Sequence, residues 1–167
     1  MESPPHWDGN RADAYGERLI EIHDWLRDEL TQLRADLHAF PDGSPAGGTR
    51  LRDLRTHCLA FCTAVTGHHT AEDEAGFPAL AEHMPELTPV LEQLQHDHGL
   101  IADVLTRLEE VTCGADPAGG PEEAARIDRE VEGLAAILES HFRYEERTLF
   151  DALNDLGAAA QRAGEPE

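Results

Sequence analysis

Cations are scarce in this chain. Thirteen Lys plus Arg stand against 34 Asp plus Glu in 167 residues, a formal net charge of −21 with the histidines neutral. Such an excess of acid repels phosphate backbones and anionic lipid headgroups, which argues against nucleic acid and membrane surfaces as partners. No apolar run approaches the ~20 residues that span a bilayer, and the opening Met1-Glu2-Ser3-Pro4-Pro5 has neither the basic nor the apolar region of a signal peptide. A cytoplasmic location is the expectation. The three cysteines are odd in number, which suits a reducing compartment better than a disulfide framework. Aromatics are few as well, with five Phe, two Trp and two Tyr.

What is present is helix-forming: Leu, Ala, Glu and Arg dominate, and 40% of the residues are apolar, enough for one core in a chain of this length. An all-α single domain is expected. Residues 1–12 carry prolines, a glycine and no periodicity, and read as an irregular arm, with His6 and Trp7 able to pin it to the body. From Asp13, a candidate N-cap, a stripe of Leu19, Ile22, Leu26, Leu30, Leu33 and Leu37 marks a first helix with His23 inside the stripe. A Gly- and Pro-rich loop follows over 40–48. The second helix, capped by Thr49, runs through Leu51, Leu54, Cys58, Phe61 and Val65 to His68 and Glu72, and Gly76 and Pro78 end it. A short helical turn over 79–84 leads to Thr88-Pro89, an N-cap followed by proline at the first helical position, which starts a third helix with Leu91, Leu94, His98, Ile101, Leu105 and Leu108 inward. After a loop over 115–120, a fourth helix carries Ile127, Val131, Leu134, Ile137 or Leu138, His141, Glu145, Leu149 and Leu153, and ends at Gly157. The expected organisation is an antiparallel up-down-up-down four-helix bundle over 13–157 with a flexible tail over 158–167.

Two stretches of the chain resemble one another. His68 and His141 each have a carboxylate four residues on (Glu72, Glu145), a second acid beside it, a Phe nine residues on and a Leu twelve on. On a helix the i and i+4 side chains share a face, so each stretch can offer an imidazole and a carboxylate to one point. A His/acid pair alone means little: with acids about one residue in five, ten histidines give about two such pairs by chance, and four occur. The bundle adds a stronger argument. His23 lies about 16 residues from the end of its helix and His68 about 19 from the start of the next, arms that differ by only roughly 5 Å at 1.5 Å per residue. His98 and His141 come to about the same level from the other two helices. Six buried polar residues in a leucine stripe would cost several kcal/mol unless a cation compensates them. The expected metal ligands are therefore His23, His68, Glu72, His98, His141 and Glu145, with the alternative of solvent-facing His/Glu pairs over an ordinary leucine core.

Mixed imidazole and carboxylate ligands suit iron, manganese or zinc, and two carboxylates at one level suggest a two-metal centre with Glu72 and Glu145 as bridges. One residue of helix turns a side chain by 100°, so His69, His96, Asp73 and Glu146 are expected to fall off the metal-facing side. His57 is in phase with His68 but about 16 Å away, and reads as a packed or capped histidine. Cys58 and Cys62 share a face and read as small core residues. No histidine has Glu or Asp three residues before it, which excludes the Glu-x-x-His ligation of ferritin-like bundles.

With these residues placed, the pattern H…HxxxE…H…HxxxE resembles the hemerythrin-like (HHE cation-binding) family over about residues 15–156. The resemblance implies a four-helix bundle holding a non-haem di-iron centre that binds O2 or related small molecules. By position it implies that His23 and His68 bind one iron ion and His98 and His141 the other. Glu72 and Glu145 would bridge them. The oxygen-carrying members resemble a pattern with His-x-x-x-His in the third helix, whereas here Leu94 stands four before His98. On that reading the second iron lacks a protein imidazole and keeps a place for water, peroxide or substrate.

The functional expectation is an oxidoreductase that activates O2 or H2O2 at this open position, on a small metabolite or with an unknown electron donor. Tyr144, three residues after His141 and on nearly the same face, is either a hydrogen-bond donor to the bound oxygen species or a rim tyrosine. The alternatives are an O2, NO or iron binding or sensing module without turnover, and a structural helical bundle without metal. Either oligomeric state, monomer or dimer, is compatible with the sequence.

Overall fold

In this computed structural model, which describes residues 15–38, 47–116 and 120–164, those residues are helical throughout apart from short turns. The helices are α1 (Tyr15–His38), α2 (Gly47–Ala71), α3 (Phe77–His83), α4 (Thr88–Cys113) and α5 (Gly120–Gly164). The expected arm over 1–12, the Asp13 cap, most of the loop over 40–48 and the last residues of the tail lie outside the described residues. Four of the helices are long and build an all-α bundle in which α1 packs on α2 and α5, and α4 packs on the same two. No described helix is long and apolar enough to cross a membrane.

The stripes named above face inward. Leu26, Leu33, Leu37, Leu51, Phe61, Val65, Ile101, Leu108, Ile127 and Leu134 are all nearly inaccessible. Between the two options on α5, Leu138 is the buried residue and Ile137 the exposed one. Cys58 and Cys62 are core residues, as expected. His57 is held between two acids of α1, with Nδ1 2.8 Å from Asp36 Oδ2 and Nε2 3.2 Å from Glu29 Oε2, remote from the site described below.

Named pairs set the register. Gly16 N–H donates to Asn154 Oδ1 at 2.9 Å, while further along the same helix Arg34 pairs with Glu132. Arg55 from α2 donates to the carbonyls of Thr112 (2.9 Å) and Ala115 (2.6 Å), supplying partners that the end of α4 lacks within its own helix. α1 and α5 approach so closely at Gly16 that a Cβ there would sit 2.6 Å from the Phe150 carbonyl oxygen.

Three expectations about helix ends need correction. Gly76 and Pro78 do not end the second helix, because a π-helical turn over Glu72–Gly76 links α2 to α3. A proline inside a regular helix collides with the carbonyl four residues back, and the wider turn just before Pro78 relieves that clash. The stop at Gly157 also fails: α5 continues to Gly164, so 158–164 are helical. Gly157 is buried and is followed by three alanines, the best helix formers, which carry the helix past it. Thr88 begins α4 but does not cap it; its hydroxyl donates to the Pro85 carbonyl at 2.8 Å.

The core is divided. One apolar cluster fills the part of the bundle around Leu26, Leu54, Ile101 and Leu134, and a second gathers Phe77, Leu80, Leu91, Leu94, Leu149 and Ala152. Along their helices His68, His98 and Glu145 fall between residues of the first cluster and residues of the second, while His23 and His141 are flanked by residues of the first, so a polar layer borders the first cluster where the second begins.

Candidate metal centre

The polar layer brings together all six residues predicted from spacing, and adds a seventh. His23, His68, Glu72 and Glu145 form one group whose ligand atoms lie within 4.8 Å of one another, and His69, His98 and His141 form a second with the same limit. α1 contributes His23, α2 contributes His68 and His69, the π-turn contributes Glu72, α4 contributes His98, and α5 contributes His141 and Glu145.

The addition is His69, which the 100° argument had placed off the face. It is buried, 5% exposed, with its ring stacked on His98 at 4.0 Å and 7°. The correction is geometric. His68 and His69 straddle the inward direction about 50° to either side, so an imidazole can reach the bundle axis from both. His68 turns toward α1, with Nε2 2.9 Å from His23 Nε2, and His69 turns toward α4. A signal for this existed: Phe61 and Cys62, two turns earlier, are likewise an adjacent pair buried together, at 0% and 1%. Seven residues later the same two lanes are filled by histidines.

Each carboxylate lies between the two groups. Glu72 Oε1 is 3.3 Å from His68 Nε2 and its Oε2 is 3.6 Å from His98 Nε2. Glu145 Oε2 is 3.4 Å from His23 Nε2 and 3.6 Å from His141 Nε2. Imidazole nitrogens and carboxylate oxygens thus converge on one region. Adjacent ligands on one octahedral ion are about 3 Å apart, the spacing these atoms approach.

Unmet polar atoms test the fit. Among the described residues, nine buried side-chain N or O atoms have no hydrogen-bond partner, and seven of them belong to His69, Glu72, His98, His141 and Glu145. Each would cost about 1–3 kcal/mol if left so. The donor set is five imidazoles and two carboxylates, all of types that accept a divalent or trivalent cation. The residues fit a metal.

Electrostatics agrees for three of the imidazoles. Burial, with His23 adding to it, holds the His68 imidazole down to about 3, and burial opposed by Glu145 holds His141 down to about 4. Burial and the neighbouring imidazoles push His69 down further. These rings are neutral and offer lone pairs. Burial and the facing Glu145 charge push the Glu72 carboxyl well up, whereas for Glu145 the surrounding imidazoles, His23 first, outweigh burial and hold it down. Two carboxylates in one dry layer resist sharing it as anions, and a cation between them removes the conflict.

Asp73 and Glu146 are absent from both groups, as expected, yet they are engaged. Asp73 Oδ1 is 2.9 Å from His98 Nδ1, and Glu146 Oε1 is 2.9 Å from His23 Nδ1. Arg27 holds Glu146 at 2.9 Å and Glu139 at 2.8 Å. A carboxylate behind a histidine fixes its ring and tautomer and leaves the opposite nitrogen free for a metal. The rule that sorted inward from outward residues had no place for these outer nitrogens. His96 is exposed, as expected.

One expectation changes. Leu94 does not leave the His98 side short of an imidazole, because His69 from α2 supplies a third; Leu94 itself is fully buried in the second apolar cluster. The side with fewer imidazoles is that of His23 and His68. Tyr144, outside both groups, is half-buried against the second apolar cluster and lines a groove with His141, with the Arg147 guanidinium 5.7 Å from its ring centre.

No curated protein and no solved structure matched the chain. A family model did, described as the hemerythrin HHE cation binding domain, over residues 16–153, a span that contains every residue of the layer. That match covers most of the chain, which belongs to the hemerythrin HHE cation-binding domain family.

Proposed function

We propose that the protein is a non-haem di-iron protein that binds O2 or peroxide. The observation that carries this reading is the placement of Glu72 and Glu145, each within 3.3–3.6 Å of an imidazole from both groups. On this reading His23 and His68 hold one ion, His69, His98 and His141 hold the other, and the two carboxylates are shared. A bound pair of iron ions would supply electron exchange with O2 or peroxide. The chain's own residues prepare that chemistry. Glu146 and Asp73 fix the rings of His23 and His98 through their outer nitrogens. Phe142, 1% exposed and stacked on His23 at 4.0 Å and 17°, keeps water from that ring. A cavity of about 250 Å³ lined by His69, Asp73, His98 and Gly99 gives a small molecule a way in between α2 and α4.

Five imidazoles in a three-to-two division favour binding over turnover, since the missing imidazole inferred from Leu94 was the motive for the enzyme reading. Manganese or zinc could occupy the same ligands. The test is iron quantification with an optical spectrum recorded before and after addition of O2 or peroxide. Two irons per chain and a spectrum that returns on removal of O2 support binding. Sustained consumption of peroxide or of a reductant supports the oxidoreductase. A chain that takes up no metal sinks both.

A further inference from the structure

Beside the metal centre, the outer faces of α4 and α5 meet in a groove of about 730 Å³, walled by Asp97, Leu100, Ile137, His141, Tyr144 and Arg147. That volume lies in the range of sites for small organic ligands. Three observations about it are independent of one another.

The first is apolar exposure. The exposed large hydrophobic residues among the described ones are Leu59, Leu100 and Ile137, and two of these three, Leu100 from α4 and Ile137 from α5, line this groove, 50% and 40% exposed.

The second is charge. The chain has no lysine, so all thirteen of its cations are arginines, set against 34 acids. Most described arginines are paired with acids; in this groove Arg143 is paired with Glu139. Arg147 has no carboxylate within ion-pair distance among the described residues and rests instead over the Tyr144 ring. An uncommitted guanidinium in so acidic a protein is suited to one carboxylate. Asp97 in the wall and the net charge of −21 disfavour a dianion such as a phosphate.

The third is an orphaned donor. His23 and His98 each have a carboxylate 2.9 Å from Nδ1. His141 does not: its Nδ1 is buried and unpaired, and the nearest acid, Asp97, stands 4.0 Å away, beyond hydrogen-bond reach. Gln93 donates to the other oxygen of Asp97 at 2.9 Å and holds that acid in place. His141, 4% exposed, therefore turns an unmet nitrogen toward the groove wall. An oxygen of a bound molecule would meet it.

We propose that this groove is a binding site for a small monocarboxylate with an apolar body, its carboxylate on Arg147, its body between Leu100 and Ile137, and a second oxygen accepting from His141 Nδ1. Binding itself does not depend on the di-iron reading; only its effect on the centre does. A ligand there touches the outer nitrogen of a histidine whose inner nitrogen faces Glu145, and so adjusts the centre without entering it.

The experiment is calorimetric titration of the full chain with p-hydroxyphenylacetate and with tyramine, which share a ring and a phenol oxygen and differ in the sign of their charge. The acid is expected to bind and the amine not to. Arg147→Gln should weaken acid binding roughly tenfold or more, and Leu100→Asp should abolish it, both with wild-type helicity and metal content. Absence of acid binding at millimolar concentration, equal binding of the amine, or undiminished binding to Arg147→Gln each overturns the proposal. So does sedimentation showing a dimer that Leu100→Asp dissociates, since a second copy would then be the occupant. Titration of iron-loaded and iron-free protein separates the two readings. Acid binding through Arg147 in a chain that takes up no iron sinks the di-iron reading alone, and iron uptake without acid binding sinks this one alone.

Discussion

His69 lies flat against His98, ring centres 4.0 Å apart and planes 7° apart, so two helices deliver imidazoles to the same side of the polar layer. One of these imidazoles comes from α2, and Leu94, four residues before His98 on α4, is given to packing.

If His69 is a ligand, His69→Ala lowers metal affinity by at least as much as losing an outer partner does, about 10–100-fold. His96→Ala, on the exposed side of α4, leaves it unchanged. Metal analysis after dialysis against a weak chelator measures both. Wild-type metal content in His69→Ala would falsify the assignment.

Asp73→Asn and Glu146→Gln keep size and remove charge behind His98 and His23. Each is expected to weaken metal retention about 10–100-fold while leaving the helical content intact. Competition titration with a chromophoric chelator gives the numbers, and affinities equal to wild type would mean that these acids are ordinary surface groups.

Glu72→Gln tests the tension between stability and function. The Glu72 carboxyl is buried near Glu145, and burial disfavours its charge. In metal-free protein the neutral amide should raise stability by about 1–3 kcal/mol, while metal content falls. Thermal unfolding with and without metal reads both effects, and a metal-free variant less stable than wild type contradicts the account.

Leu94→Ala opens a cavity among Phe77, Leu80, Leu91 and Leu149. The expected cost is about 2–5 kcal/mol in denaturant unfolding, with metal content preserved. Loss of metal at unchanged stability would assign Leu94 to the site instead.

Gly16→Ala places a methyl 2.6 Å from the Phe150 carbonyl oxygen and 3.0 Å from Asn154 Oδ1. The α1–α5 contact has to open, at a cost of about 1–3 kcal/mol by thermal unfolding. An unchanged melting temperature would show that the two helices are held apart more loosely than described.

Much of this molecule could be read from the order of its residues. The leucine stripes defined four long helices because a helix needs one apolar face to pack, and a 3.6-residue period is visible in any stretch that meets this need. The same period put His23, His68, Glu72, His98, His141 and Glu145 inward, and equal arm lengths put them at one level; all six are in the layer. Local chemistry was less dependable at helix ends. Pro78 and Gly157 are stop signals in isolation, and a π-turn and a run of alanines overrode them.

Tertiary structure decided what angular offset cannot. A residue 50° from the inward direction is either a ligand or a surface group according to which helix stands opposite and how far away. His69 became part of the layer because α4 brings His98 to stack on it, and Asp73 and Glu146 became its supports because two histidine rings turned their outer nitrogens toward them. Periodicity records the direction of a side chain from its own axis. The distance to the neighbour it meets is a property of the packed bundle alone.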